Sequence, residues 1–187
     1  MFLILAINRR LAITALTRRF HSMSGNVTKA HKYFTIQNDI SGHWIEDEYQ
    51  RENVYDYLHQ MGMEWLKVMF AQSMSWQDEM IIFFDNEYIN IDGVRGPLTE
   101  SYQYHIKLDN QTLSLIDIGE EFGGITNATA EIRTNSLICY VFKAGSSEPL
   151  FTVTDHIDPQ AKDILNIENR HVDSNVVWKS VFKRKQK

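Results

Sequence analysis

The chain has few cysteines, which could form disulfides, and few prolines and glycines, which interrupt helices and strands. Its 187 residues include one cysteine, Cys139, three prolines and nine scattered glycines. A single thiol cannot close an internal disulfide, so the core must hold the fold, and this usage favours a reducing compartment. No Pro-, Gly- or Ser-rich linker divides the chain after residue 40, which predicts one domain. No apolar run reaches about 18 residues, so a membrane-spanning helix is excluded.

Carboxylates are missing from one end of the chain. Residues 1–38 carry arginines and lysines but no acidic residue, whereas residues 39–187 carry 13 basic and all 24 acidic side chains. The formal charge of this larger part is −11. Binding to nucleic acid requires clustered cations against the phosphate backbone, so nucleic acid is not an expected partner.

We divide the chain into a basic, acid-free extension, residues 1–38, and a domain, residues 39–187. Acid-free segments rich in arginine and hydroxyl groups are typical of transit peptides, although the four arginines here spread around a helical wheel. A disordered extension on a cytoplasmic protein, or a start at Met23, are alternatives. A secretory signal fits less well, because arginine pairs interrupt the apolar runs. The prediction is a cytoplasmic protein, or a mitochondrial one if residues 1–38 act as a transit peptide.

Motifs of the common enzyme classes are also missing. The chain contains no His-Glu-x-x-His, no Gly-x-Ser-x-Gly, no Cys-x-x-Cys and no phosphate-binding glycine loop. Its seven histidines show no metal-ligand spacing. These observations predict a protein that is not an enzyme and that uses no cofactor and no metal ion.

Alternation of apolar and polar residues with a period of two dominates the chain after residue 42 and predicts strands. The exception is a pair of short helices, at 53–61 and 63–71, which interrupt the alternation. Besides a strand at Trp44, the predicted strands lie at 79–84 with a possible extension to 92, 102–108, 112–118, 121–126, 130–133, 137–143, 150–155, 164–168 and 176–183. The short spacing between them predicts an antiparallel meander that closes on itself.

Three motifs occur in the order found in a known family. Gly42-His-Trp44 is followed by Glu52-Asn-Val-Tyr-Asp-Tyr-Leu-His-Gln-Met-Gly62, then by Ile116-Asp-Ile-Gly-Glu-Glu-Phe122, with a partial match at Ser180-Val-Phe-Lys-Arg184. They resemble the first strand, the first helix and the Phe-Lys-Leu-Gly-Glu-Glu-Phe segment of the fatty-acid-binding proteins, small cytosolic lipid carriers of the calycin superfamily. The resemblance covers about residues 40–185.

The resemblance implies a mainly β fold, a ten-stranded antiparallel up-and-down β-barrel (β-clam) with a two-helix lid between the first and second strands. It also implies a monomer that binds a long-chain fatty acid or another small lipid in the barrel, carries it within the cell and touches membranes transiently through the helical portal. Trp44 matches the tryptophan that closes the barrel bottom. The residues implied to contact the ligand are Val54, Tyr57, Leu58, Thr154, Trp178, Ser180 and Phe182.

The head-group site departs from the family pattern. Members hold the carboxylate with Arg-x-Tyr on the last strand and an earlier Arg, but Ser180, Phe182 and Thr154 stand at these positions. A buried carboxylate needs a charged or hydrogen-bonding partner. The ligand is therefore neutral, or binds with its head toward the portal, or uses another residue. The candidates, which equally suit surface or water-bound positions, are His105, Lys107, Arg133 and His156.

The chain also differs from the family pattern in length, and both its function and its family have an alternative. The chain is longer than the family pattern before Gly119, with Gly93-Val-Arg-Gly-Pro-Leu98 as the predicted inserted turn. The alternative function is a ligand-free barrel that acts as an interaction or membrane-surface module through Met69 and Phe70. An extracellular lipocalin also begins with Gly-x-Trp, but the helix pair and the lack of disulfides argue against it.

Overall fold

The protein is described here by a computed structural model, which covers residues 34–73, 75–85, 87–95, 100–133 and 135–186. The segment before Phe34, which carries most of the predicted transit peptide, lies outside the described residues. Residues 34–38 belong to helix α1 (Phe34–Ile40). The targeting role of the extension and its boundary at residue 39 stay predictions.

Ten strands within the described residues form one antiparallel sheet. Their bounds are β1 (Gly42–Glu46), β2 (Glu79–Asp85), β3 (Tyr88–Arg95), β4 (Glu100–Lys107), β5 (Ser114–Asp117), β6 (Ile125–Arg133), β7 (Ser136–Phe142), β8 (Pro149–Asp158), β9 (Ala161–His171) and β10 (Val177–Arg184). The sheet order is β4-β3-β2-β1-β10-β9-β8-β7-β6-β5, so the first strand pairs with the last and β4 and β5 form the two edges. The result is a nearly closed barrel, which confirms the predicted fold class.

Strand register determines which side chains enter the barrel, because directly paired residues of antiparallel strands share a face. On β10, Ser180 and Phe182 are 2% and 5% exposed. The side chains of Lys179 and Lys183 are instead 50% and 61% exposed. The predicted alternation on the last strand is therefore confirmed, and the pairing extends it to every other strand.

Two helices between β1 and β2 cover one end of the barrel. Helix α2 (Val54–Gln60) begins after Asn53, whose φ of 56° is left-handed. The chain turns at Gly62, whose φ of 88° glycine adopts without strain. Helix α3 (Trp65–Ser73) follows. The predicted two-helix lid is confirmed.

Helix α1 and Trp44 close the opposite end of the barrel. Ile40 and Trp44 are fully buried, and Trp44 Nε1 donates a hydrogen bond to the Ile40 carbonyl oxygen at 2.8 Å. The Arg184 guanidinium lies 4.1 Å from the centroid of the Trp44 ring. The sequence pattern does not reveal α1, because a helix of seven residues is too short to form without such docking.

Two strand predictions are wrong, in opposite directions. The extension of the strand at 79–84 to residue 92 fails because the chain reverses between Asp85 and Tyr88, which pair directly. Residues 125–133 form one strand where we predicted two, since Ala128 and Ala130 pack fully buried against the core and do not mark a break. The total of ten strands is nevertheless right.

The predicted inserted turn at Gly93–Leu98 is wrong in its first half. Gly93, Val94 and Arg95 are the last residues of β3, where Gly93 pairs with Tyr102 of β4. Residues 96–99 lie outside the described part of the chain. The strand therefore carries its alternation as far as Arg95.

Candidate functional site

Many apolar side chains that point into the barrel keep part of their surface accessible. By strand register and packing, this group comprises Phe84, Ile91, Ile132, Phe151, Val153 and Ile157. A side chain on the inner face of a nearly closed barrel keeps accessible surface where packing leaves space beside it, or where it lies near a barrel end or near the edges β4 and β5. The accessible surface on the inner face of the barrel is therefore largely apolar.

The interior changes from apolar to polar along the barrel. Toward the closed end, the buried inward side chains are Ile82, Ile89 and Ile106. Toward the lid, β1 ends at Glu46, Asp78 directly precedes β2, and β3 ends at Arg95, so these three charged residues lie at that end. The interior thus has an apolar base and a charged upper layer.

A buried ion pair holds the chain where it leaves the barrel for the lid. Arg51 Nε donates to Glu46 Oε1 at 2.8 Å, and Arg51 Nη2 donates to Glu46 Oε2. The guanidinium also lies 3.6 Å from the Trp76 ring centroid and donates to the Trp76 carbonyl oxygen at 3.0 Å. Since Glu46 is paired and bound by several donors, it belongs to the lid attachment and is not a free acid inside the barrel.

Arg95 reaches from the end of β3 into the charged layer. Its Nη2 donates a hydrogen bond to Tyr104 Oη at 2.7 Å, and its guanidinium carbon lies 4.6 Å from the Tyr102 ring centroid. The two tyrosine rings are 5.0 Å apart between centroids. Burial alone would lower the pKa of Arg95, but Tyr104, Tyr102 and Asp78 outweigh it and the pKa is raised. The guanidinium therefore stays charged.

Sequence reasoning missed Arg95, although a signal was present. Ile89, Ile91, Gly93 and Arg95 alternate along β3, and the first of them is fully buried on the inner face. Extending that alternation would have placed Arg95 inside. The residue was assigned to an inserted turn instead, so it was not considered for the head-group site.

Tyr57 forms the underside of the lid. Its ring lies 6.4 Å from that of Phe151 and 5.7 Å from that of Trp178, between centroids. Burial raises the pKa of Tyr57, and the charge of Arg95 opposes this change, so Tyr57 also lies near that cation. Tyr57 thus lies between the helices and the barrel interior, and its contact with a ligand stays a prediction.

The other two helix residues implied to touch ligand pack mainly within the lid. Val54 and Leu58 form a small apolar cluster with Val68 and Trp76. This cluster joins α2 to α3 and to the segment before β2. Contact of Val54 and Leu58 with a ligand stays a prediction.

The three implied residues of the last strand share the inner face. Trp178, Ser180 and Phe182 pair with Asn169, Ile167 and Leu165 of β9. Trp178 Nε1 is buried and finds no acceptor among the described residues. These three residues form a largely apolar part of the inner wall, with one hydrogen-bond donor near the lid that has no acceptor among the described residues. Their contact with a ligand stays a prediction.

The placement of Thr154 inside the barrel is wrong. Thr154 pairs with Glu168 of β9, which in turn pairs with the exposed Lys179, so Thr154 lies on the outer face. The inward position belongs to Asp155, which pairs with Ile167. Asp155 is 3% exposed, its Oδ1 has no hydrogen-bond partner among the described residues, and burial raises its pKa to about 7. The inward residue in this part of β8 is therefore an acid, Asp155, and not the arginine of the family pattern.

The cationic candidates taken from the sequence all lie on the outer face. His105 contacts Asn90 and stacks on Tyr88, and Lys107 pairs with Asp109. The remaining two candidates alternate with inward residues of their strands and so point outward, Arg133 with a 59% exposed side chain and His156 next to Asp155. None of the four reaches the interior.

An open groove of about 680 Å³ lies outside the barrel, between α2 and the last two strands. Its walls are largely polar and include Asp56, His59, Glu168, Arg170 and Lys179. Charged walls open to water do not remove an apolar ligand from solvent, so the interior is the stronger candidate for a lipid site.

In the described part of the chain, no group of three or more His, Cys, Asp or Glu side chains is placed to hold a metal ion. None of the described helices is long and apolar enough to cross a membrane.

Comparison with known proteins identifies the fold. No protein-family model matches the sequence, and no curated protein matches it. Among solved structures, the REP1-NXSQ fatty acid transporter is similar at 16% identity and a TM-score of 0.62, covering 80% of this chain and 98% of that chain. A mutant of that transporter is 18% identical with a TM-score of 0.61, covering 79% and 99%. Human cRBP IV is 17% identical with a TM-score of 0.61, covering 78% and 98%. The chain therefore has the fold of the fatty-acid-binding proteins, as its motifs indicate.

Proposed function

We propose that the protein binds a fatty acid or a similar hydrophobic small molecule in the barrel interior, without covalent chemistry, and carries it within the cell. The observation that carries this proposal is the set of inward apolar side chains that stay partly accessible in the barrel. Burying an alkyl chain against such walls gives about 0.8 kcal/mol for each methylene group. Two of the similar structures are a fatty acid transporter and its mutant, which supports the same function.

Displacement of a fluorescent fatty acid tests the proposal. We expect native lipids to displace the probe at micromolar protein. Val153→Phe should weaken probe binding at least about tenfold, because Val153 faces the interior and the larger ring would occupy the same space. Thr152→Phe is the matched control, since this neighbour of Val153 on β8 faces outward.

Two results would count against the carrier. One is absence of displacement while circular dichroism shows a folded β protein. The other is equal probe binding by the Val153→Phe and Thr152→Phe variants, since a ligand inside the barrel must distinguish the two faces of β8.

A second candidate function is a membrane-surface module, and one observation favours it. Trp65, Leu66, Met69 and Phe70 of α3 are 61%, 71%, 46% and 56% exposed. They lie on one face of the helix, opposite the buried Val68 and Ala71, and we call them the outer face of α3. Exposed aromatic and aliphatic groups on a helix suit the interfacial region of a bilayer. A carrier could use the same face during transfer of its ligand.

The site of action is part of the proposal. We propose a cytoplasmic carrier, or a mitochondrial one if residues 1–38 are a transit peptide. N-terminal sequencing of the protein from its own cells distinguishes these, because import would remove the extension and a cytoplasmic protein would begin at Met1 or Met23.

A further inference from the structure

We propose that Arg95 is the head-group site, which binds the carboxylate of an amphiphilic ligand at the lid end while the apolar chain points toward α1. This inference rests on the proposed function and names its ligand class, an anionic amphiphile. It departs from a site on the last strand, where Ser180 and Phe182 offer no cation.

The contacts of Arg95 leave several N–H donors without a protein acceptor among the described residues, although the buried carboxylate of Asp78 acts on its charge. Of the five N–H donors of a guanidinium, only one has a protein acceptor among the described residues, the hydroxyl of Tyr104. Tyr102 contributes its ring face, and Asp78 acts on Arg95 through its field. Neither tyrosine neutralises the cation. A carboxylate, which accepts two parallel hydrogen bonds from a guanidinium, suits these free donors.

The lack of a side chain at Gly93 lets the Tyr102 ring lie beside the Arg95 guanidinium. A Cβ atom at Gly93 would come within 2.5 Å of Tyr102 Cζ and Oη. Glycine at this position therefore lets the phenol ring lie directly against β3, on the face from which Arg95 extends. The aromatic support holds the cation where its long side chain would otherwise be free to turn away.

Interior polarity sets the direction of the ligand. Arg95 lies at the end of β3 nearest the lid, level with Asp78 before β2. The opposite end offers Phe84 and Ile157, inward apolar side chains that stay partly accessible and suit an alkyl chain. Two further polar atoms, Asp155 Oδ1 and Trp178 Nε1, are buried without partners among the described residues. They provide sites for water or for polar atoms of the ligand.

Paired ligands of equal chain length test the assignment. Oleate and oleyl alcohol are titrated against the full chain and against its Arg95→Met, Tyr104→Phe and Arg133→Met variants. Arg133 is the matched control, since it also contacts a tyrosine hydroxyl, that of Tyr140, but on the outer face. We expect Arg95→Met to weaken oleate binding by about 10- to 100-fold and to change oleyl alcohol binding by less than about threefold. Tyr104→Phe should give a smaller loss for oleate, and Arg133→Met none.

A second readout does not depend on affinity. With an isotope-labelled carboxyl group, NMR of bound oleate should show a pKa lower in the full chain than in Arg95→Met, because the cation favours the ionised head. Equal losses for acid and alcohol, or an unchanged pKa of the bound carboxyl, would overturn the assignment and leave lipid binding intact. Failure of the unaltered protein to bind either ligand would overturn the proposed function as well.

Discussion

At the scale of single residues, Asp155 is the most unusual group in the barrel. Its carboxyl is buried with the apolar Ile167 and Leu137 in register, and burial raises its pKa from 3.8 to about 7. In the unfolded chain it loses its proton near pH 4, whereas in the folded protein it keeps that proton until about pH 7. Between these values the native state binds more protons, so the stability of the fold falls as pH rises through this window and levels off above it.

Asp155→Asn should remove this dependence. We expect the free energy of unfolding of the unaltered protein to fall by about 2–3 kcal/mol between pH 5 and 8 from this group alone. The asparagine variant should show a fall smaller by that amount and should be the more stable protein at pH 8. Denaturant unfolding at the two pH values measures both quantities.

The matched control for this experiment is Asp163→Asn, an exposed aspartate on β9. Its pH dependence should equal that of the unaltered protein. If Asp155→Asn and Asp163→Asn show the same fall in stability between pH 5 and 8, Asp155 is not the desolvated acid described above.

Inward residues were predicted correctly where the alternation of apolar and polar residues along a strand was used. They were predicted wrongly where the family pattern was used instead. On β10 the alternation placed Trp178, Ser180 and Phe182 together, and register confirms that they share the inner face. On β8 the apolar residues Phe151, Val153 and Ile157 mark the inner face equally clearly. Thr154 was chosen from the family pattern against that alternation. The strand's own sequence would have found Asp155.

At the scale of elements, the outer face of α3 is a specific test of membrane contact. Met69→Ser together with Phe70→Ser should reduce binding to phosphatidylcholine vesicles by at least about tenfold, because each buried apolar side chain of this size contributes about 1.5–3 kcal/mol. Vesicle flotation with unaltered and variant protein measures the change.

Leu115→Ser provides the matched control, since Leu115 is 74% exposed on β5. Its vesicle binding should match that of the unaltered protein. Vesicle binding unaffected by the two α3 substitutions would exclude this face as the membrane contact, both for the carrier and for the surface module.

Helices and strands that depend on local sequence patterns were predicted correctly, whereas those that depend on tertiary packing were not. The lid helices follow from apolar spacing and from Gly62, and both are present. Helix α1 depends on the docking of Ile40 against the barrel end, and the continuity of β6 depends on close packing at Ala128 and Ala130. Such tertiary contacts leave little trace in a local sequence pattern, which is why α1 was missed and β6 was predicted as two strands.

At the scale of the whole molecule, the barrel joins an apolar closed end to a charged lid end. The order of the strands places β1, β2 and β3 side by side, so Glu46, Asp78 and Arg95 meet although they are far apart in sequence. The fold class was predictable because three separate motifs agreed in order. The proximity of Arg95 to Glu46 and Asp78 was not, because it depends on how these strands are paired.

The most direct test of the account is where a lipid lies in the folded protein. Stearate carrying a nitroxide spin label near its methyl end is added to methyl-labelled protein, and NMR measures the broadening of each methyl signal. Binding inside the barrel predicts strong broadening at Leu137, Leu165 and Ile167 and little at Leu115 or Leu66. Broadening confined to Leu66 and other exposed methyl groups, with the interior signals unchanged, would contradict a ligand-binding interior.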